Sequence, residues 1–403
     1  MRTRDWKTVP MQTACLLVLL SLLLTTLAGC GTRGEQASEA RIDRAPAERS
    51  GVSDELHYDH SLDLGYATRY AVDFYREGGS LVTVADDRQY FLKEKDVSVP
   101  KDLKDGVTVI EVPLKNAYLS GSGSMDYFVA CEGLGSLAYS SQQESGWHIP
   151  EAAEAMHRGD LVYAGKYSAP DMELLTTGHC GLAIENTMIL HSPAVIEKLE
   201  GVGIPVFIDY ASLETTPEGR MEWVRLYGLM SGREAEADRA FRAQEQEFLK
   251  LKKEDKNLPE EEKRPTVAFF NVNANGTVSV RKSTDYIVSM IELAGGRYHL
   301  PEIGREDDVN RSTETISMEE FYKAALDTDY FIWNSSVEGE RYKIDELLEA
   351  APVLADCKAV RDGNVFCTTS DLYQHTMEQG TFVRDLYNML TGEEEFCYIF
   401  KLE

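Results

Sequence analysis

Two short stretches carry residue types that could hold a charged ligand. Arg281-Lys282 stand directly before Ser283-Thr284-Asp285, a helix-start signature. Two fixed cations beside the positive end of a helix would clamp an anion, and a guanidinium can grip a carboxylate through two parallel hydrogen bonds. A solvated basic pair is the other reading of the same residues. Ser120-Gly121-Ser122-Gly123-Ser124 falls between a strand-like run and a helical pattern. Its lack of bulk lets backbone N–H groups approach a ligand, with Ser122 and Ser124 as candidate contacts, while an ordinary cap fits it equally well. Aromatic and polar residues gather at other expected strand ends: Tyr139, Trp147-His148, Lys166-Tyr167, Trp333, and Tyr373 with His375. Together they suggest a wide face suited to a large planar or chelated ligand.

Other chemistries find little support. The eight histidines include no HxxxH pair and the seven cysteines no CxxC, so neither a resident metal nor a cofactor is expected. Gly133-Leu134-Gly135-Ser136-Leu137-Ala138 fits G-x-G-x-x-A, but it follows a helical stretch and precedes a strand, the reverse of a dinucleotide site. Ser279-Val280-Arg281-Lys282 fits S-x-x-K without a Lys-Thr-Gly partner. GxSxG, HExxH and P-loop motifs are absent. The chain reads as a binding protein and not an enzyme; an extracellular hydrolase and a sensor that hands its ligand to a membrane kinase are the readings from other classes.

An apolar run from Ala14 to Gly29 follows Arg2, Arg4 and Lys7 and ends in Leu27-Ala28-Gly29-Cys30. It reads as a secretory signal over 1–29 and resembles the lipobox of bacterial lipoproteins. The resemblance implies cleavage before Cys30, lipidation of that thiol and an extracytoplasmic position at the membrane. A transmembrane anchor is the alternative, for which the run is short of the roughly 20 residues a span needs. Residues 30–55 are polar and small and read as a flexible tether.

The formal charge is −27 and becomes −29 once 1–29 are removed. Such acidity repels nucleic acid and anionic lipid and favours a partner that presents basic residues. About 370 residues remain, 43% of the whole chain being hydrophobic, enough for two lobes. Cys131, Cys180, Cys357, Cys367 and Cys397 are an odd set, so at least one thiol is free. Cys357 and Cys367 flank Arg361-Asp362-Gly363-Asn364 and either pair across that turn or stay reduced as small hydrophobes.

Several elements must position these residues. Strand-like runs Tyr66–Tyr75 and Ser80–Phe91 meet across Gly78-Gly79 as a hairpin. From Val107 short apolar runs (VTVIEV, NAYLS, LAYS, DLVYAG, CGLAIE, PVFID) alternate with helical stretches, the pattern of a parallel sheet with helices on its faces. Thr266–Val272 opens a second such series, with helices over Asp285–Ala294, Ser317–Asp327, Lys343–Ala350 and Thr381–Thr391 and a strand at Tyr330–Asn334. Between the series lie a helix at Pro217–Met230 and a second from Arg233 to Lys253, whose Ala237, Ala240, Phe241, Phe248 and Leu249 approximate one stripe. At ~1.5 Å per residue the second spans about 30 Å. The expected fold is α/β: two Rossmann-like lobes joined by one long helix, with an added N-terminal β-hairpin. The expected divisions are 56–215, 216–258 and 259–403.

That arrangement is similar to the class III substrate-binding proteins of bacterial ABC importers, which serve ferric siderophores, haem and cobalamin. Gly165–Glu173 followed by Gly181–Glu185, Leu199–Pro205 before Val206-Phe207, and Tyr227–Met230 before Glu234–Ala240 resemble first-lobe and bridging passages of that family. Leu293–Gly296, Ile316–Phe321 and Ala359–Val365 resemble its second lobe. The resemblance covers about residues 107–391 and rests on the order of these motifs. It implies a ferric siderophore, haem or cobalamin as ligand, with iron present only inside the ligand, and an ABC permease with its ATPase subunits as partners. It also implies permease docking through one carboxylate per lobe, Glu173 in Pro170–Glu173 and Glu319 in Ile316–Glu319, with Glu320 beside the latter as a competitor for the role.

Overall fold

The computed structural model describes residues 51–254, 260–300 and 312–403. The expected signal sequence, Cys30 and most of the expected tether lie outside them. The last residues assigned to the tether do not dangle: Val52 is buried, as is Leu56 just after them, and Ser53 Oγ and Asp54 N both donate to the Asp102 carboxylate. Apolar residues at 52 and 56 find a pocket under the first sheet, which a polar average over the segment conceals.

That first sheet has five strands in sequence order: β1 (Tyr58–Ser61), β2 (Tyr70–Tyr75), β3 (Ser80–Val84), β4 (Gln89–Glu94) and β5 (Val107–Val112). The expected single run Ser80–Phe91 is two strands, because Asp86-Asp87 turn the chain with Asp87 at φ 65°. β5, expected to open the parallel series, pairs with β4 instead. Gly78 and Gly79, both at positive φ, make the tight turn between β2 and β3. β3 is buried on both faces: Val82 and Val84 join the main core, while Leu81 packs with Val52, Leu56, Tyr75 and Phe91. The loop before β2 docks on two buried carboxylates. Glu222 accepts from the N–H groups of Gly65, Tyr66 and Ala67 at 2.8–3.0 Å, and Glu214 from those of Thr68 and Arg69 and from the Trp223 indole. Five consecutive backbone N–H groups, Gly65 to Arg69, find acceptors there, so this loop is held firmly.

The second sheet is parallel, in the order β12 (Val206–Asp209), β11 (Ala183–Asn186), β6 (Ala117–Leu119), β7 (Leu137–Ser140), β8 (Val162–Tyr163). A small antiparallel pair, β9 (Gly165–Lys166) and β10 (Ala169–Pro170), stands beside it. The chain starts in the middle at β6, moves to one edge through β7 and β8, then returns to fill the other side. The order therefore reverses between β6 and β11, and the connections on either side leave a crevice at the carboxyl ends there.

Helices Pro217–Glu222, Val224–Ser231 and Glu234–Glu254 follow β12. The expected helix 217–230 is thus two, interrupted at Trp223. On the long helix Ala237, Phe241 and Phe248 are buried, while Leu249 is exposed. A residue one place after Phe248 lies about 100° round the helix and leaves the stripe.

The third sheet is mixed, in the order β16 (Thr313–Ile316), β14 (Val278–Arg281), β13 (Thr266–Val272), β17 (Tyr330–Trp333), β18 (Val365–Thr368), β19 (Ile399–Lys401), with β15 (Arg297–Tyr298) also on β13. β13, β15, β16, β17 and β18 run in one direction; β14 and β19 run the other way. The two α/β lobes expected from the alternation are present. Cys357 and Cys367 are both free and buried, and of the described cysteines Cys397 is the exposed one. No helix among the described residues is long and apolar enough to cross a membrane.

Candidate functional site

The carboxyl ends of β6, β11 and β12 open onto a cleft of about 650 Å³ that the second α/β lobe closes from the other side. From the first lobe come Gly121–Ser124 and Tyr127, Asn186–Met188 with His191, and Asp209 with Ala211–Leu213. From the second come Arg281, Tyr286, Ser312–Thr315, Tyr373 and Thr376, and Arg220 reaches in from the helix after β12. This is the crevice that the reversal of strand order creates. Its volume lies within the ~300–1,000 Å³ of small-molecule sites.

The positive charge of the lining lies on two guanidinium groups, Arg220 at 7% and Arg281 at 8% exposure, with Asp209 and Glu314 as its carboxylates. Arg220 lies 4.4 Å over the Tyr286 ring, and its Nε has no hydrogen-bond partner among the described residues. Arg281 donates to the Tyr373 hydroxyl, which in turn donates to Asn334 Oδ1 at 3.1 Å. Asp285 Oδ2 stands 3.6 Å from Arg281 Nη1, and Asp285 Oδ1 caps its helix by accepting from Ile287 N. Burial pushes the Asp285 carboxyl up while Arg281, Ile287 N–H and Arg220 pull it down. Asp209, on the first-lobe wall, accepts from Ser124 Oγ at 2.5 Å, Tyr227 OH at 2.6 Å and Ala211 N at 2.6 Å. Its two oxygens already accept from three donors. The part of the cleft around Asp285 thus holds two cations to one carboxylate inside a strongly acidic protein. Such a wall attracts an anionic group on a ligand.

A periplasmic binding protein model matches residues 147–372, more than half of the sequence. The chain belongs to the periplasmic binding protein family. It is 24% identical over 408 residues to an uncharacterized lipoprotein of Methanocaldococcus jannaschii, covering 93% of this chain and 92% of that one. Among solved structures it is similar to the periplasmic haem-binding protein HutB of Vibrio cholerae (18% identity, TM-score 0.53, 68% of this chain and 98% of that one). It is also similar to the triscatecholate siderophore-binding protein FeuA of Bacillus subtilis, solved with ferri-bacillibactin (15% identity, TM-score 0.52, 70% and 95%). At these identities the likeness is one of fold, and the family is one of substrate-binding proteins.

Within this family member, Ser122, Ser124, Arg281 and Tyr373 of the expected ligand residues line the cleft. The other six are not among its lining residues. Lys282 is buried at 4% exposure, yet it does not share the cleft wall with Arg281, because successive side chains of an extended segment point to opposite sides. The cation that shares the cleft lining with Arg281 is Arg220. Tyr139 sits on β7, away from the reversal, packed against Gly178. Trp333 is core: its indole donates to Gly339 O at 3.0 Å and Arg341 covers its ring at 5.2 Å. Lys166 is exposed on the β9 hairpin, and Tyr167 packs against the core. Trp147 is buried where the first lobe meets the second, beside contacts made by Gln374.

Sequence reasoning missed Arg220, Tyr286, Tyr127 and Asp209. The signal for Arg220 was present, a cation at a helix start after a strand's carboxyl end, but 217–230 reads as part of the bridging helices. Glu173 and Glu319 are exposed in the first turns of helices Met172–Thr177 and Met318–Ala325. Glu319 pairs with Lys323 at 2.7 Å. Glu320 is occupied by a capping box, accepting from Ser317 N at 2.9 Å and Ser317 Oγ at 2.7 Å. Among the described residues no group of three or more His, Cys, Asp or Glu could hold a metal ion.

Proposed function

We propose that this chain is the lipid-anchored substrate-binding protein of an ABC importer and that it captures an anionic ferric siderophore in the cleft. The observation that carries this reading is the pair of buried guanidinium groups, Arg220 and Arg281, on the cleft wall. A chelate with carboxylate or catecholate oxygens offers them charge-assisted hydrogen bonds, and the cleft's volume accommodates a large ligand. Cys30 carries the lipid and holds the protein at the outer face of the cell membrane, in keeping with the lipoprotein relative. Glu173 and Glu319, both projecting into solvent, dock on basic pockets of the permease, while Glu320 stays with its helix cap. No reaction takes place on this chain, and no resident cofactor takes part; ATP hydrolysis belongs to the partner subunits.

Haem is the second reading, because the cleft lining also includes Tyr127, Tyr286, Tyr373 and His191, side chains of the kinds that ligate haem iron. The net positive charge around Asp285 disfavours cobalamin. Titrating the protein from residue 31 onward with ferric siderophores, haemin and cobalamin, followed by tryptophan fluorescence and calorimetry, separates these ligands. Saturable submicromolar binding of an anionic ferric siderophore is expected. Binding of haemin alone replaces the first reading with the second, and silence toward all three refutes the iron assignment.

A further inference from the structure

The segment Tyr373–Met377, which follows β18 in the second α/β lobe, is hydrogen-bonded to the first lobe at three places. Gln374 accepts from His148 N at 2.9 Å and donates to Gly146 O at 2.8 Å. Thr376 Oγ1 donates to Gly123 O at 2.9 Å. The Met377 N–H donates to Asp126 Oδ2 at 2.7 Å. Gln374, Thr376, Met377 and Asp126 are buried, at 6%, 2%, 4% and 9% exposure, while the partners Gly123, Gly146 and His148 are partly or fully exposed. A buried donor or acceptor is costly to leave without its partner. The approach at Gly123 is equally close: a Cβ there would lie 2.9 Å from both Thr376 Oγ1 and Tyr373 O.

The same segment is fastened to its own lobe. Tyr373 OH bridges Arg281 and Asn334, and Gln374 N donates to Asp371 O at 2.7 Å. His375 stands 3.4 Å from Asp371 and 3.9 Å from Glu378, while Tyr398 OH donates to Glu378 at 2.5 Å. Tyr373 and Thr376 are themselves walls of the cleft, as is Gly123 opposite. One short stretch therefore carries ligand-facing side chains and the bonds that set its distance from the facing lobe.

We propose that Gln374, with Thr376 and the Met377 N–H, forms a clasp that presets the width of the cleft, so that ligands are selected by fit to a fixed opening. Gln374 is a positioning residue: it lies outside the cleft and acts by holding Tyr373 and Thr376 in place. The polar bonds cross a lobe boundary where apolar packing alone would permit sliding, because hydrogen bonds are directional and a hydrophobic contact is not. The proposal takes the cleft as the ligand site, but its test uses no ligand, so it stands or falls apart from the ligand assignment.

Nitroxide labels at Glu197→Cys in the first lobe and Glu349→Cys in the second, in a Cys397→Ser background of the full chain in detergent, report the interlobe distance by pulsed electron resonance. The parent protein is expected to give one narrow distance. Gln374→Leu combined with Thr376→Val, which removes three of the four bonds while conserving size, is expected to broaden and shift it. A distribution superimposable on the parent's overturns the clasp. Should the double variant fail to fold, Gln374→Glu serves: it keeps the acceptor for His148 N–H and loses the donor to Gly146 O. A broader distribution supports the clasp, and an unchanged one overturns it.

Discussion

Glu185, in the middle of β11 directly before the cleft residues Asn186–Met188, is fully buried, and neither carboxyl oxygen has a hydrogen-bond partner among the described residues. Desolvation raises its pKa from 4.5 to about 7, opposed by the nearby Ser120 hydroxyl. Between those values the folded protein holds a proton that the unfolded chain has released. The unfolded state therefore binds fewer protons, and stability falls as pH rises through this window. At 1.36 kcal/mol for each tenfold change in acidity, the full loss is about 3 kcal/mol. Glu185→Gln, similar in size and unable to ionise, lacks this dependence. Thermal and urea unfolding of both proteins from pH 5 to pH 8.5 is expected to show wild type losing about 2.5 kcal/mol relative to the variant, with most of the change by pH 7. A stability difference that stays constant with pH would refute the reasoning, because it would mean that the carboxylate is solvated or paired in the folded protein.

Arg220→Met keeps packing over Tyr286 but removes the charge; binding of an anionic ferric siderophore should weaken about ten- to a hundred-fold, the ~1.5–3 kcal/mol of a hydrogen bond to a charged group. Arg281→Met should weaken binding similarly and also lower the melting temperature, because Asp285 then loses its 3.6 Å partner; calorimetry with thermal melts checks both. With a thiol reagent, the folded protein from residue 31 onward should show one fast thiol, Cys397, and four that react only on unfolding. Burial raises the Cys131, Cys180 and Cys357 thiols to about 11 and that of Cys367 further still in the same direction. Glu173→Ala and Glu319→Ala should leave ligand affinity unchanged and reduce ligand-stimulated ATP hydrolysis by the reconstituted transporter, whereas Glu320→Ala should lower stability by about 1 kcal/mol through its capping box.

The α/β character, the two series of strands and helices, and the long helix at 234–254 were legible because each depends on local periodicity: β13 falls on the expected Thr266–Val272, and the helix ends within a residue of Lys253. The family resemblance drew on the order of short motifs, which is also a linear property. Register and company were not legible. Nothing in Val107–Val112 says that it pairs with β4 and not with the parallel strands that follow, since a strand's hydrogen bonds are made by a backbone common to every residue. The site divided along the same line. Glycine and serine after β6 and the cation at Arg281 announced themselves by type and position. The choice of Arg220 over Lys282, the withdrawal of Trp333 and Tyr139 into cores, and the use of Gln374 as a tie between lobes arise only when segments far apart in the chain are brought together. His148 and Gln374 are 226 residues apart. Local sequence determines which way a chain coils and which side of it is apolar, because those preferences act between near neighbours. Tertiary packing decided which polar groups face the same space, because that depends on where strands and helices end relative to one another.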